Sequence, residues 1–133
     1  MRMSLALLAD YANVSREGKL NIMGVFDNIY ATSVPVSHGQ LQLVLTVEGS
    51  SAESGKDHPL EIELISPGGD SVFKVSGTIH FAKAPHEAPI KANSTIQMNN
   101  LVFRQFGRYR FVISVDGALR EEIPFTVIQV RPQ

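Results

Sequence analysis

Apolar residues recur along this chain with a period of two, in runs of about five to ten separated by Gly, Pro, Asn and Ser. No segment carries a convincing 3.6-residue period. Leu41, Leu43, Leu45 and Val47 alternate with Gln42, Val44, Thr46 and Glu48, which predicts a strand with its odd-numbered face in a core. Leu60, Ile62 and Leu64 alternate with Glu61 and Glu63. Pro67-Gly68-Gly69-Asp70 then signals a turn, and Phe73, Val75, Gly77, Ile79 and Phe81 form the next apolar row, so the two runs predict a hairpin. The strongest run places Tyr109, Phe111, Ile113 and Val115 on one face. Leu5 to Tyr11 is apolar on both parities until Asp10, as expected of a central strand or one covered on both sides.

Three places break the alternation. Leu20 and Ile22 lose their parity through Met23-Gly24-Val25, and a bulge at Gly24 would absorb the slip. Ile96 and Met98 share one parity while Leu101 and Phe103 share the other, which predicts a bulge or turn at Asn99-Asn100. Asp116-Gly117 suggests a two-residue hairpin loop, yet that loop would set Phe111 opposite Glu122. Pairing Val115 with Leu119 and Phe111 with Ile123 keeps the face apolar, and requires a three-residue loop or a bulge near Glu121-Glu122. Pro124 suits an edge, or a position whose missing N–H would have pointed outward. Polar turns or loops are expected at Asn13 to Gly18, at Gly49 to Pro59, and at Ala82 to Asn93 with Pro85, His86 and Pro89.

About eight strands, several with one apolar and one polar face, predict an all-β fold. Its form would be a two-sheet, Greek-key-like sandwich, mainly antiparallel, with a closed barrel as the alternative. The length suits one domain spanning 1–133. Leu5 to Ala9, although preceded by Met1-Arg2-Met3, reads as a first core strand rather than a leader, because Asp10 ends the run.

Charge narrows the classes of partner. Twelve Lys and Arg against thirteen Asp and Glu give a net charge of -1, so no nucleic acid and no membrane is expected as partner. The absence of cysteine removes disulfides, thiolate chemistry and Cys-based metal sites, and is compatible with a cytoplasmic location.

Candidate chemistry is sparse. Asp10, beside Tyr11 in an apolar run, reads as a structural carboxylate fixing the turn at Asn13 to Gly18, with a catalytic role as the alternative. Asp27 would turn the chain after Phe26. His38, His58, His80 and His86 show no metal-ligand spacing and read as surface histidines, His80 on the polar face of its strand. Asp116 with Glu121 and Glu122 is too thin a set for calcium, and no GxSxG elbow is present. No catalytic residue, metal or cofactor is assigned. Arg104, Arg108 and Arg110, near Phe103, Phe106 and Tyr109, form a locally basic and aromatic stretch. Stacking on single-stranded nucleic acid would use such a stretch, but the rings belong to predicted core rows. The arginines are therefore expected on an exposed face, as possible interaction residues.

The stretch LLADYANVSREGKLNIMGVFDNIYATSVP, with GRYRFVISVDG and IPFTV, resembles a family of small uncharacterised bacterial proteins described as a domain of unknown function. The resemblance covers nearly the whole chain and implies a β-sandwich, with no activity or site residue to carry over. Gly107-x-Tyr109-x-Phe111 is similar to the tyrosine corner of immunoglobulin-like and fibronectin-like sandwiches, where the ring fills the end of the core and its hydroxyl returns to the backbone. The function expected is a noncatalytic protein-interaction or structural module, with an unidentified protein partner and possible homodimerisation. A small-molecule or carbohydrate binder and a hydrolase-like enzyme with an Asp/His site are the alternatives.

Overall fold

The computed structural model describes residues 1–83 and 89–131, and within them the chain forms nine strands and one 3-10 turn, Ser51–Glu53. The strands are β1 (Arg2–Val14), β2 (Leu20–Phe26), β3 (Asn28–Ala31), β4 (Val36–Gly49), β5 (Asp57–Ile65), β6 (Ser71–His80), β7 (Ile90–Phe103), β8 (Gly107–Val115) and β9 (Leu119–Gln129). One sheet has the order β2-β1-β4-β7 and the other β3-β9-β8-β5-β6. Every pairing is antiparallel except β3 with β9. The chain passes between sheets from β2 to β3, from β3 to β4, from β4 to β5, from β6 to β7 and from β7 to β8, as a Greek-key sandwich allows. The run from Lys19 to Tyr30 makes two strands where one was expected. Asp27 breaks it: β2 stays in the first sheet, β3 joins β9 in the second, and the Asp27 carbonyl accepts the Thr126 amide at 2.9 Å.

The inner rows are those the alternation predicts. Leu41, Leu43, Leu45 and Val47 face Leu60, Ile62, Leu64, Phe111, Ile113, Phe125 and Val127 across one continuous core. An aromatic cluster anchors it. The Phe125 ring lies 5.7 Å from Phe103, 5.4 Å from Tyr109 and 5.4 Å from Phe111, tying β7, β8 and β9 together. Val115 pairs with Leu119 and Phe111 with Ile123, as the apolar face demanded, with no shift near Glu121-Glu122. The loop is Asp116 to Ala118, where Asp116 and Gly117 both take positive φ. Pro124 lies opposite Arg110, on the part of β9 that β3 does not reach, so its missing N–H leaves no ladder bond unmade.

The other two irregularities are not bulges. β1 and β2 keep one register from Leu8↔Phe26 to Val14↔Leu20, and β4 and β7 keep one register from Val36↔Phe103 to Gly49↔Ile90. Yet the buried face changes parity in all four strands. Ala6, Leu8 and Phe26 join the main core, whereas Ala12, Leu20 and Ile22 join a second cluster on the opposite side. Likewise Val36, Leu101 and Phe103 reach the core from one parity, and Leu41, Leu43, Ile96 and Met98 from the other. Each inversion sits at one opposed pair, Asp10 with Gly24 and Gly39 with Asn100, where both strands swap faces together. Gly24 (φ 71°) and Asn100 (φ 54°) supply the left-handed backbone.

The first inversion bends the distal β1–β2 hairpin back over the outer face of the four-stranded sheet. Ala12, Leu20 and Ile22 cover Ala9 and Val44, and at the tip Gly18 O accepts Asn93 Nδ2 of β7 at 3.2 Å. Polar groups beneath this arm are paired: Thr46 Oγ1 donates to Asn93 Oδ1 at 2.7 Å and Gln42 Nε2 to Gln97 Oε1 at 3.2 Å. This arm is why Leu5 to Ala9 is apolar on both parities. Ala6 and Leu8 fill the sandwich, while Leu5, Leu7 and Ala9 lie on the arm side.

Candidate interaction surface

Two kinds of surface flank the sandwich. The outer face of the five-stranded sheet is charged, because the alternation that buries Tyr109 and Phe111 turns Arg108 and Arg110 outward. Arg110 donates to Glu122 Oε1 at 2.6 Å and Arg120 to the same oxygen at 3.2 Å. The hydrogen bond from Arg120, reinforced by Arg110, holds the Glu122 carboxyl below its ordinary range. On β5 and β6, Lys74 Nζ lies 2.9 Å from Glu61 Oε1, and that bond raises the lysine above its ordinary value. Arg104 lies apart from this row. It lines a depression of about 240 Å³ with Val72, Val102, Asp70 and Gln105.

The second surface is the open side of the sandwich, between edge strands β6 and β7. Phe73 and Val75 belong to the inner row of β6, opposite Leu64 and Ile62; Phe73 packs partly buried against the main core, but the four-stranded sheet ends at β7 and leaves Val75 exposed. Val75 is 43% exposed although it stands on the core-facing parity. With Ile96, Met98 and Leu101 they line an apolar groove of about 450 Å³. Among the described residues no strand pairs with the outer edge of β6, so alternate backbone N–H and C=O groups there face solvent beside this groove.

Asp10, Asp27 and His80 do not converge. The Asp10 side chain lies over Gly24, where the arm bends. The turn expected to depend on it is held by Ser15 instead, whose carbonyl accepts the Gly18 amide at 2.9 Å and whose hydroxyl accepts the Lys19 amide at 3.1 Å. Asp27 sits at the crossing between sheets, in a groove with Val25, Phe26, Ile123 and Pro124. His80 is exposed on β6 and pairs with Asp57.

His58 corrects the expectation of a surface histidine. β5 begins before it, which turns its ring inward against the edge of Phe81, and its Nδ1 donates to Asp116 Oδ2 at 2.6 Å. Burial is tolerable because the acceptor lies in the β8–β9 loop directly above. His38 lies within β4, half-buried beside Phe26. His86 and Pro85 lie outside the described residues. Among the described residues no group of three His, Asp or Glu side chains could hold a metal ion, and no helix is long and apolar enough to cross a membrane.

Tyr109 closes the core beside Phe103 and Phe125 and makes the expected return to the backbone. Its hydroxyl donates to Gln105 O at 2.9 Å and accepts the Gln105 amide at 3.3 Å. Tyr109→Phe keeps the ring and removes both bonds. Chemical denaturation should show a loss of about 1 kcal/mol, the net worth of a hydrogen bond to a backbone that water can still reach.

These features define a small, all-β sandwich in which, among the described residues, no strand pairs with the outer edge of β6. The chain belongs to the Family of unknown function (DUF6941), whose model matches residues 4–128. Comparison with curated proteins finds no match.

Proposed function

We propose that the chain is a noncatalytic protein-interaction module that takes an extended segment of a partner protein onto the free edge of β6. The supporting observation is the contrast among the four sheet edges. β3 has four residues, β2 is interrupted at Gly24 and β7 at Asn100. β6 runs ten residues with one register shift, between Ser71 and Phe73, no proline, and Lys74 as its one permanent charge. Short length, kinks, proline and charge are the usual means of keeping an edge from pairing, and β6 carries only Lys74 and the irregularity at its start. Strand addition would satisfy its free backbone groups while side chains of the incoming segment enter the groove at Phe73 and Val75.

Val75→Lys puts a charge in that groove at a half-exposed position. Affinity capture from the source cells should recover a partner that this variant loses by about tenfold or more, and that protects the β6 amides from hydrogen exchange. Equal recovery by the variant, or loss only in an Arg108→Glu/Arg110→Glu protein, would count against the edge. We further propose an immunoglobulin-like relationship and a place in the bacterial cytoplasm. The first is supported by the hydroxyl return of Tyr109 at the start of β8 and by the pairing of β4 with β7 and of β5, β8 and β9 in the facing sheet. The second is supported by the family resemblance and the cysteine-free sequence, and cell fractionation tests it.

A further inference from the structure

We infer that the segment received by β6 is β6 of a second copy, joining two five-stranded sheets into one continuous sheet across a two-fold axis. This rests on the reading of β6 as the docking edge and adds the identity of its occupant. Antiparallel pairing of a strand with itself is isologous, so each contact occurs twice and the interface closes as a dimer. Direct partners must share parity, which limits the register to an axis through one residue of β6.

An axis through Lys74 would oppose two ammonium groups. An axis through Val75 removes that direct opposition and pairs every residue from 73 to 77, the stretch beyond the irregularity between Ser71 and Phe73. Lys74 then faces Ser76 of the partner subunit, Phe73 faces Gly77 of the partner subunit, and Val75 meets its own copy. Three features of β6 fit this register. The strand carries no acid, and the Ser76 that would receive the partner's Lys74 is flanked on its other side by Glu61, whose carboxylate, 2.9 Å from Lys74 of its own chain, would be shared between the two lysines. Gly77 leaves an unfilled position on the inner row, which an aromatic ring across the strand pair can cover. The inner rows of both copies point to the same side of the joined sheet, so the two grooves lined by Phe73, Val75, Ile96, Met98 and Leu101 meet and close on each other. That closure roofs the exposed Val75, as the neighbouring sheet does for the rest of the row.

Sedimentation of the purified chain tests the inference. A concentration-dependent monomer–dimer equilibrium is expected. Val75→Lys should raise its dissociation constant at least about tenfold, with an unchanged circular dichroism spectrum and melting transition. Because the chain has no cysteine, Val75→Cys supplies a unique thiol on the proposed axis. A short bis-maleimide should link it into dimers at least about tenfold faster than Met23→Cys, an exposed position on β2. A chain that stays monomeric at all concentrations, a dimer indifferent to Val75→Lys, or equal crosslinking at both positions overturns the inference. A monomer whose captured partner is still lost with Val75→Lys would overturn self-pairing and leave the edge reading standing. A monomer whose captured partner survives that substitution would remove both.

Discussion

Phe125→Ala should lower the unfolding free energy by about 3–5 kcal/mol, the range for emptying a large aromatic side chain from a close-packed core. Phe125 is 2% exposed, and its ring is in contact range of Phe103 from the facing sheet and of Tyr109 and Phe111 from the neighbouring strand. Neighbours can collapse into the space only by breaking the ring geometry that connects them, so little of the cavity should heal. Urea denaturation measures the effect, and Phe125→Leu, which keeps most of the volume, should recover more than half of it. A loss below about 1 kcal/mol for the alanine variant would mean that the aromatic cluster is not the centre of the core.

Gly107→Ala should be the second most damaging of the substitutions considered, for a different reason. Gly107 opens β8 with φ 128°, a conformation that L-residues rarely adopt, and a Cβ there would stand 3.0 Å from Pro67 Cγ and 3.1 Å from Pro67 Cβ. Backbone strain of about 1–3 kcal/mol and overpacking against a stiff ring add to an expected loss of roughly 2–4 kcal/mol. Gly69→Ala provides the comparison, because Gly69 has φ 90° but nothing within 4 Å of the added carbon. If both variants lose the same amount, strain alone accounts for the effect.

Rows of alternating side chains made the sandwich readable. Where one face was apolar and the other polar, as in β4, β5, β8 and β9, parity identified the core-facing positions, although the arm also buries Gln42, Val44 and Thr46 on the other face of β4, and the Asp116 loop followed from requiring that parity to survive the turn. Parity also flagged Gly24 and Asn99-Asn100, but a single strand cannot reveal how its partner responds. A bulge in one strand and a joint inversion in two leave the same mark on either sequence. The buried position of His58 was hidden because its acceptor lies 58 residues away, in a loop. The groove at β6 was equally hidden. Phe73 and Val75 read as ordinary core residues, and only the end of the facing sheet at β7 leaves Val75 exposed.

The joint inversions at Asp10/Gly24 and Gly39/Asn100 have an evolutionary consequence. A residue inserted into or deleted from one of these strands near its crossing would displace its face change relative to the partner's, sending apolar side chains to water on one strand while the other kept them inside. Length changes there should survive only as matched pairs, so the β1–β2 and β4–β7 ladders should vary in length together, whereas the β1–β2 turn can lengthen freely.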